Sequence, residues 1–307
     1  MNGTGTLEDL RMNGTGTVAL GGTQTVTDVL TFSMGLLDLG DNDLVLTSAA
    51  SSAVVGGNEN SYARTAGNGS LIRPVNGSNY AFPLGGSTYT PLSISLVTGP
   101  QDNFAARVQN GVSGEYDAPG VATGGMATSD VVDRTWVVSE EVAGGNTANI
   151  TLQWNATDEL VAFNRGTCSV ANYDGTDWSP SATAAAAGSG PFTRTVSGLG
   201  VFRELCVTDE DATLNEIGTS MNSMEGSTLQ VFPNPASNVL FIDGVEFDPL
   251  RPTVGLTDAM GHQVSLDMAI RSNTRTVDVN GLPNGLYILK LLDQQDRSHQ
   301  IRVVIAH

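Results

Sequence analysis

The sequence predicts an all-β protein: a short β-solenoid segment of the parallel β-helix type, then a β-sandwich domain, then a small second β-sandwich. Three observations predict this class. Apolar residues alternate with polar ones at a period of two, as in half-buried strands. Turn residues, including 36 glycines, interrupt these stretches at short intervals. No stretch has the apolar spacing of an amphipathic helix.

Residues 1–57 predict the solenoid. The hexapeptide at residues 1–6 recurs at residues 12–17, so the chain opens on a repeat. Short apolar strands follow, separated by glycine-rich turns. The residues that share strand faces are Val26, Leu30, Phe32, Leu37, Leu39, Leu44 and Leu46. A solenoid coil needs neighbours to bury its apolar face, so we expect further coils upstream of this chain.

Residues 58–208 predict the sandwich domain. Leu92, Ile94 and Leu96 alternate with serines, and Trp136 and Trp154 lie in phase with neighbouring apolar residues. Residues 209–228 are polar and lack a strand pattern, so they predict a linker. Residues 229–307 then contain six or seven short apolar runs at about ten-residue spacing, which is typical of a small sandwich.

Three motifs in this last part occur in a specific order. They are Val231-Phe232-Pro233-Asn234-Pro235-Ala236, then Leu256-Thr257-Asp258 with Gly261, then Leu282-Pro283-Asn284-Gly285-Leu286-Tyr287-Ile288-Leu289-Lys290. Together they resemble the type A C-terminal sorting domain of the type IX secretion system. The resemblance implies an immunoglobulin-like sandwich that directs export across the outer membrane. The site residues that it implies are Phe232, Pro233, Asn234, Pro235, Ala236, Asp258, Gly261, Gly285, Tyr287 and Lys290.

The same resemblance implies partners and a location. Residues 229–307 would contact the secretion machinery, and the exported protein would be released or attached to surface lipopolysaccharide or other surface glycans. The final strand, residues 301–307, departs from the family pattern because it carries Arg302 where relatives commonly have lysine.

A second, weaker resemblance covers residues 33–94. The segments 33–46, 69–73 and 82–85 are similar to patterns in large Bacteroidetes-type surface and adhesin-like proteins. The resemblance implies a solenoid followed by a sandwich and no defined activity.

The charge distribution excludes several partners. The net charge is −18, and residues 1–226 hold 24 acidic against eight basic residues. Nucleic acids and anionic lipids require a basic surface, which this chain lacks. No apolar run is long enough to span a membrane. The first residues also lack the basic start and apolar core of a signal peptide, so we expect this chain to be a fragment of a secreted or cell-surface protein.

Acidic turns offer candidate calcium ligands. Asp38, Asp41 and Asp43 lie close together in sequence, and carboxylates are preferred Ca²⁺ ligands. The segments 174–177 and 209–211 are similar clusters. The spacing matches neither an EF-hand nor the glycine-rich nonapeptide calcium repeat, and solvated turns are the alternative for each cluster. No other cofactor is expected.

Two cysteines, Cys168 and Cys206, predict either one disulfide or two buried thiols. Trp178 lies in a polar loop, where it would either contact a sugar or pack over the base of the loop.

The cargo part of the chain, residues 1–208, predicts no catalytic site. All three histidines (His262, His299 and His307) and the single lysine (Lys290) lie in the C-terminal part. The carboxylate pairs Glu140-Glu141 and Asp158-Glu159 are candidate acids of a glycosidase in principle. Adjacent residues on a strand point to opposite faces, so neither pair is aimed at one bond, and solvated turns are the better explanation.

The sequence leaves two functional interpretations open. In the first, an exported surface protein carries a non-catalytic structural or adhesive module and is not an enzyme. In the second, the cargo is a carbohydrate-binding accessory region of a secreted carbohydrate-active enzyme, whose catalytic module lies upstream.

Overall fold

A computed structural model describes residues 3–215, 230–243, 254–258, 262–264, 268–271, 274–292 and 298–307. The chain divides into two compact units, Met1–Thr219 and Ser220–His307. Both units are built from strands, and the predicted all-β class is confirmed.

The first unit begins as a solenoid of about four turns. Its strands are β1 (Gly5–Leu7), β2 (Leu10–Ala19), β3 (Gln24–Val26), β4 (Leu30–Asp38), β5 (Leu44–Leu46), β6 (Val54–Gly56), β7 (Ala63–Arg64), β8 (Leu71–Val75), β9 (Tyr80–Phe82) and β10 (Leu84–Gly85), with a 3₁₀ turn at Ser51–Ala53. One parallel ladder stacks β1, β3, β5 and β8, and a second stacks β2, β4, β7 and β10, with β6 also beside β4. The solenoid prediction is therefore confirmed.

The pairing register sets the length of a coil. Gly5 pairs with Gln24, Gln24 with Leu44, and Leu44 with Leu71, so a coil takes about twenty residues until the longer last one. The two copies of the repeated hexapeptide are closer together in the chain than the length of a coil, so the repeat does not correspond to one coil. Its second copy lies in β2, whereas residues 3–6 lead into β1 of the other ladder.

The apolar residues predicted to share faces fill the interior of the solenoid. Each of them is at most 2% exposed: Val26, Leu30, Phe32, Leu37, Leu39, Leu44 and Leu46. Close stacking also requires glycine at Gly35, where φ is +83° and a Cβ would lie 2.1 Å from the carbonyl oxygen of Gly14.

The sandwich follows in the same unit. Its strands are β11 (Leu92–Thr98), β12 (Asp102–Asn110), β13 (Tyr116–Ala118), β14 (Val121–Ala122), β15 (Arg134–Glu140), β16 (Thr147–Trp154), β17 (Ser169–Tyr173), β18 (Trp178–Pro180), β19 (Phe192–Leu199) and β20 (Glu204–Thr208), with a 3₁₀ turn at Ala156–Asp158. One sheet has the order β19-β16-β11-β9, so β9 belongs to the sandwich although β10 of the solenoid follows it in the chain, and β13 and β14 form a separate hairpin.

The opposing sheet joins the solenoid to the sandwich. Its nine strands run in the order β1-β3-β5-β8-β12-β15-β20-β17-β18. Strand β8 is parallel to β5 on one side and antiparallel to β12 on the other. One apolar core extends without a break from Met12 to Val207 and includes Trp136 and Trp154. The predicted boundary at residue 57 falls within this unit.

A buried arginine lies where β8 joins the two parts. Arg73 is fully buried, and its guanidinium donates hydrogen bonds to the carbonyl oxygens of Ala81 (2.9 Å), Ala50 (2.9 Å) and Ser51 (3.2 Å). Burial lowers the pKa of this group to about 10. Arg73 therefore connects the last coil to the first strands of the sandwich through backbone carbonyls.

A buried ion pair holds the sandwich together. Arg134 begins β15 and Asp158 ends the second 3₁₀ turn; their side chains are 6% and 0% exposed, and Nη2 lies 2.7 Å from Oδ1. The Thr88 hydroxyl binds the same carboxylate oxygen at 2.7 Å, and the Asn155 backbone N–H donates to Oδ2 at 2.9 Å. The carboxylate is thus fully satisfied, and Asp158 does not lie in the solvated turn that the sequence predicted.

The second unit is a separate sandwich. Its strands are β21 (Gln230–Phe232), β22 (Val239–Asp243), β23 (Val254–Asp258), β24 (Gln263–Val264), β25 (Met268–Arg271), β26 (Thr274–Asp278), β27 (Gly285–Leu292) and β28 (Ser298–Ile305). Two antiparallel sheets have the orders β21-β22-β26-β25 and β24-β23-β27-β28.

This strand order is that of an immunoglobulin-like sandwich, with four strands in each sheet. Its core is independent of the first unit's core and consists of Ala236, Leu240, Ile242, Leu256, Val277, Val279, Tyr287, Leu289, Val303 and Ile305. Most of the predicted linker, residues 216–228, lies outside the described residues. In the described part of the chain, no helix has the length and apolar character needed to cross a bilayer.

Replacing Arg134 with methionine should destabilise the first unit by about 3–5 kcal/mol, because the substitution leaves the buried Asp158 carboxylate without its cation. Urea unfolding of the full chain measures this change. The control is Arg11→Met, at an exposed position of β2, which should stay within about 0.5 kcal/mol of the unsubstituted chain. Equal stability of the two variants would contradict a structural role for the ion pair.

Candidate functional site

The predicted calcium ligands bind protein groups of neighbouring coils. The Asp38 carboxylate pairs with the Arg64 guanidinium. Asp41 Oδ1 accepts the backbone N–H of Asn68 at 3.0 Å, and Asp43 Oδ1 accepts that of Ser70 at 2.9 Å. Among the residues described, no group of three or more His, Cys, Asp or Glu side chains is placed to hold a metal ion. These aspartates therefore link one coil to the next.

Of the two alternatives for the cysteines, the structure has two buried thiols, since Cys168 and Cys206 are both free and buried. Strand pairing sets Cys206 opposite Ala171, so strand alternation directs Cys168 toward the opposite face of the sheet. The two thiols accordingly pack in different apolar clusters. Burial raises the pKa of both thiols, so neither is activated as a nucleophile.

The remaining adjacent carboxylates also have structural partners. Glu140 Oε2 accepts a hydrogen bond from Asn146 at 3.2 Å, and Glu141 Oε2 accepts one from Asn103 at 2.6 Å. Glu159 accepts the Trp154 indole N–H at 2.8 Å and forms a two-point ion pair with Arg165. Asp174 Oδ1 caps its own turn by accepting the N–H groups of residues 176 and 177.

Trp178 is not an exposed loop residue. Its side chain is 2% exposed, and its indole N–H donates to the Ser113 carbonyl at 2.9 Å. The ring packs against Tyr116 and Tyr173, with centroid distances of 6.0 and 5.5 Å. Burial raises the pKa of Tyr116 to about 12. The long segment between β12 and β15 thus covers the face of the nine-stranded sheet that turns away from the sandwich interior.

A cleft of about 400 Å³ opens beside Trp178 on this covered face. Its lining comes from β17, β18 and the segment after β20: Ser169, Ala171, Trp178, Pro180, Ser181, Thr183, Thr208, Asp209, Glu210, Ala212, Thr213, Leu214 and Asn215. No motif in the sequence indicates this cleft, because its walls come from residues 169–183 and 208–215, which are separate in the chain.

The first motif of the second unit carries the chain from one sheet to the other. Strand β21 ends at Phe232 and belongs to the sheet of β22. Four residues later, Ala236 pairs in parallel with Ile305 of β28, in the other sheet. The Ala236 N–H donates to the Val304 carbonyl at 2.8 Å, and the Ala306 N–H donates to the Ala236 carbonyl at 2.9 Å.

Asn234 supplies the hydrogen bonds that its neighbouring prolines cannot make. Pro233 and Pro235 have no N–H, and the peptide bonds that precede them are cis. The Asn234 side chain fills this gap on the edge of β28. Its Nδ2 donates to the Arg302 carbonyl at 3.1 Å, and its Oδ1 accepts the Val304 N–H at 2.8 Å. The amide therefore stands in for one backbone pair of a strand ladder.

Phe232 lies on the outside of the sandwich. Its ring stacks on that of Phe241 with centroids 5.6 Å apart and an interplanar angle of 16°. The two side chains are 44% and 37% exposed, so this motif residue contributes to the surface and not to the core.

The other motif residues fix two turns. The Tyr287 ring is buried, and its hydroxyl donates to the Pro283 carbonyl at 2.8 Å, in the manner of the tyrosine corner of immunoglobulin-like domains. Asp258 binds His262 through the backbone N–H at 2.9 Å and the ring Nδ1 at 3.1 Å. Gly285 begins β27 opposite Ile305.

Lys290 is exposed on β27. Gly261 lies outside the described residues. The described motif residues thus shape the edges, turns and surface of one small module.

Fold and site together define an immunoglobulin-like terminal module whose motif residues organise its last strand. Residues 230–306 match the family described as "Secretion system C-terminal sorting domain". This match confirms the sorting domain that the motifs predicted, and a chain with such a domain is a secreted or cell-surface protein. No curated protein matches the chain significantly.

Asn234→Ala should destabilise the second unit by about 1–2 kcal/mol, because it removes two hydrogen bonds to β28. The Val304 amide should also exchange with solvent faster, which hydrogen-exchange NMR measures. Asn234→Asp keeps the acceptor and loses the donor, so it should give an intermediate effect.

The control for this prediction is Asn238→Ala, at an exposed position on the way from Ala236 to β22. It should leave Val304 exchange unchanged. Unchanged Val304 exchange in Asn234→Ala as well would show that the amide does not bind β28.

Proposed function

We propose that the protein is exported by the type IX secretion system, with residues 229–307 as the sorting signal. The observation that carries this proposal is the match of residues 230–306 to the sorting family, on a module with its own core. The secretion machinery is then the partner of the second unit, and the exported protein is released or attached to surface lipopolysaccharide.

We propose further that residues 1–208 are a non-catalytic structural or adhesive module. The candidate acids support this function, because Glu140, Glu141, Asp158 and Glu159 each use their carboxylates to bind neighbouring protein groups. The solenoid supports it as well, since stacked coils form a rigid, extended surface. Cys168 and Cys206 are buried thiols with raised pKa values, which is a poor setting for a nucleophile.

Deleting residues 229–307 from the full-length protein should leave it in the periplasm of a cell with a working type IX system. Cell fractionation and surface labelling measure its location. The first unit has a separate core, so the truncated protein should still be folded and resist mild proteolysis.

The full-length protein with Asn238→Ala serves as the matched control and should reach the surface at the normal level. Normal surface appearance of the truncated protein would contradict the sorting role. Loss of the truncated protein to degradation would instead contradict the independence of the first unit.

A further inference from the structure

The cleft beside Trp178 combines an apolar floor with hydroxyl-bearing walls. Pro180 of β18 and the partly exposed Ala212 supply accessible apolar surface, while Ala171 and Trp178, each at most 2% exposed, lie beneath it. Five of the lining residues carry hydroxyl groups: Ser169, Ser181, Thr183, Thr208 and Thr213. A volume of about 400 Å³ is within the range of small-molecule sites. The cleft can therefore hold a small ligand that has both apolar and hydrogen-bonding faces.

The charge of the lining disfavours an anionic ligand. Asp209 and Glu210 both line the cleft, and none of its described lining residues is basic. A phosphate, sulfate or carboxylate group would meet two like charges there without a cation to offset them.

The carboxylates of the cleft are also poorly placed to bind a cationic ligand. Asp209 is 4% exposed, and each of its carboxylate oxygens already accepts a backbone N–H: Oδ2 from Asn164 at 2.7 Å and Oδ1 from Asp211 at 3.0 Å. Both oxygens of this carboxylate therefore already accept hydrogen bonds, one from its own turn and one from the neighbouring loop. Glu210 is exposed, so a cation would find a single solvated carboxylate there.

The hydroxyl groups of the cleft suit a ligand whose own groups both donate and accept hydrogen bonds. The buried hydroxyls of Ser169 and Thr208 hydrogen-bond each other at 3.1 Å, so the hydroxyls open to the cleft are those of Ser181, Thr183 and Thr213. Ser181 Oγ accepts the Val170 N–H at 3.1 Å and keeps its own O–H to donate. A neutral hydroxyl group of a ligand can either donate a hydrogen bond to these side chains or accept one from them. The C–H groups of the same ligand can pack on the apolar floor.

We propose that this cleft binds a neutral saccharide of one or two sugar units. The site lies wholly within residues 169–215 and does not rest on the sorting function. It would make the exported cargo a glycan-binding module whose ligand carries no charge.

The full chain tests the proposal through ligand-observed saturation-transfer NMR and tryptophan fluorescence. The probes are glucose, galactose, mannose, N-acetylglucosamine, cellobiose and maltose, with N-acetylneuraminate as the anion and tetramethylammonium as the cation. At least one neutral sugar should bind saturably and change the tryptophan emission of the chain, which includes Trp178 beside the cleft.

Thr213→Arg places a long charged side chain at an exposed position of the cleft wall and should weaken binding at least tenfold. Thr183→Arg does the same from another part of the lining, so a folding defect in one variant leaves the other informative. Thr123→Arg is the matched control, an exposed threonine outside the lining, and should change affinity less than twofold.

Three outcomes would overturn the proposal. Binding of tetramethylammonium or N-acetylneuraminate in place of every neutral sugar would reject the ligand class. Absence of binding by all probes would reject the site as a saccharide site. Equal sugar affinity in Thr213→Arg, Thr183→Arg and Thr123→Arg would place the sugar elsewhere on the protein.

Discussion

Backbone groups at the edge of a sheet need partners, and the pairing of β8 with β12 meets this need for the last coil of the solenoid. Strand β8 is parallel to the preceding coil and antiparallel to the sandwich, so one sheet continues through both parts. The buried Arg73 adds three carbonyl contacts at the same place. The sandwich thus acts as the cap that a solenoid requires, and the two parts share a core.

The same constraint explains the sorting motif of the second unit. Two prolines cannot donate backbone hydrogen bonds, yet the motif lies along the edge of the last strand. The Asn234 amide and the Ala236 backbone supply the missing partners of β28. Tyr287 fixes the turn that precedes the neighbouring strand. The motif residues therefore help to build the fold of the module.

Local patterns in the sequence predict strands and faces well, because burial follows a period of two. Leu44 and Leu46 in the solenoid, and Trp136 and Trp154 in the sandwich, are buried as their phase indicates. What depends on strand pairing could not be predicted. The opposed faces of Cys168 and Cys206 follow from a register that no local pattern encodes. The contacts of Asp41 and Asp43 depend on which turn stacks above them, and the cleft depends on the pairing of β17 with β20, which brings residues 169–183 beside residues 208–215.

The protein is a capped solenoid and sandwich joined in sequence to a sorting module that has its own core. We propose that this module alone carries the export signal. The most direct measurement fuses residues 220–307 to a fluorescent reporter that carries a signal peptide, and follows the reporter in a cell with the type IX system. We expect the reporter on the surface or in the medium. Reporter retained in the periplasm, although the fused module is folded, would contradict this proposal.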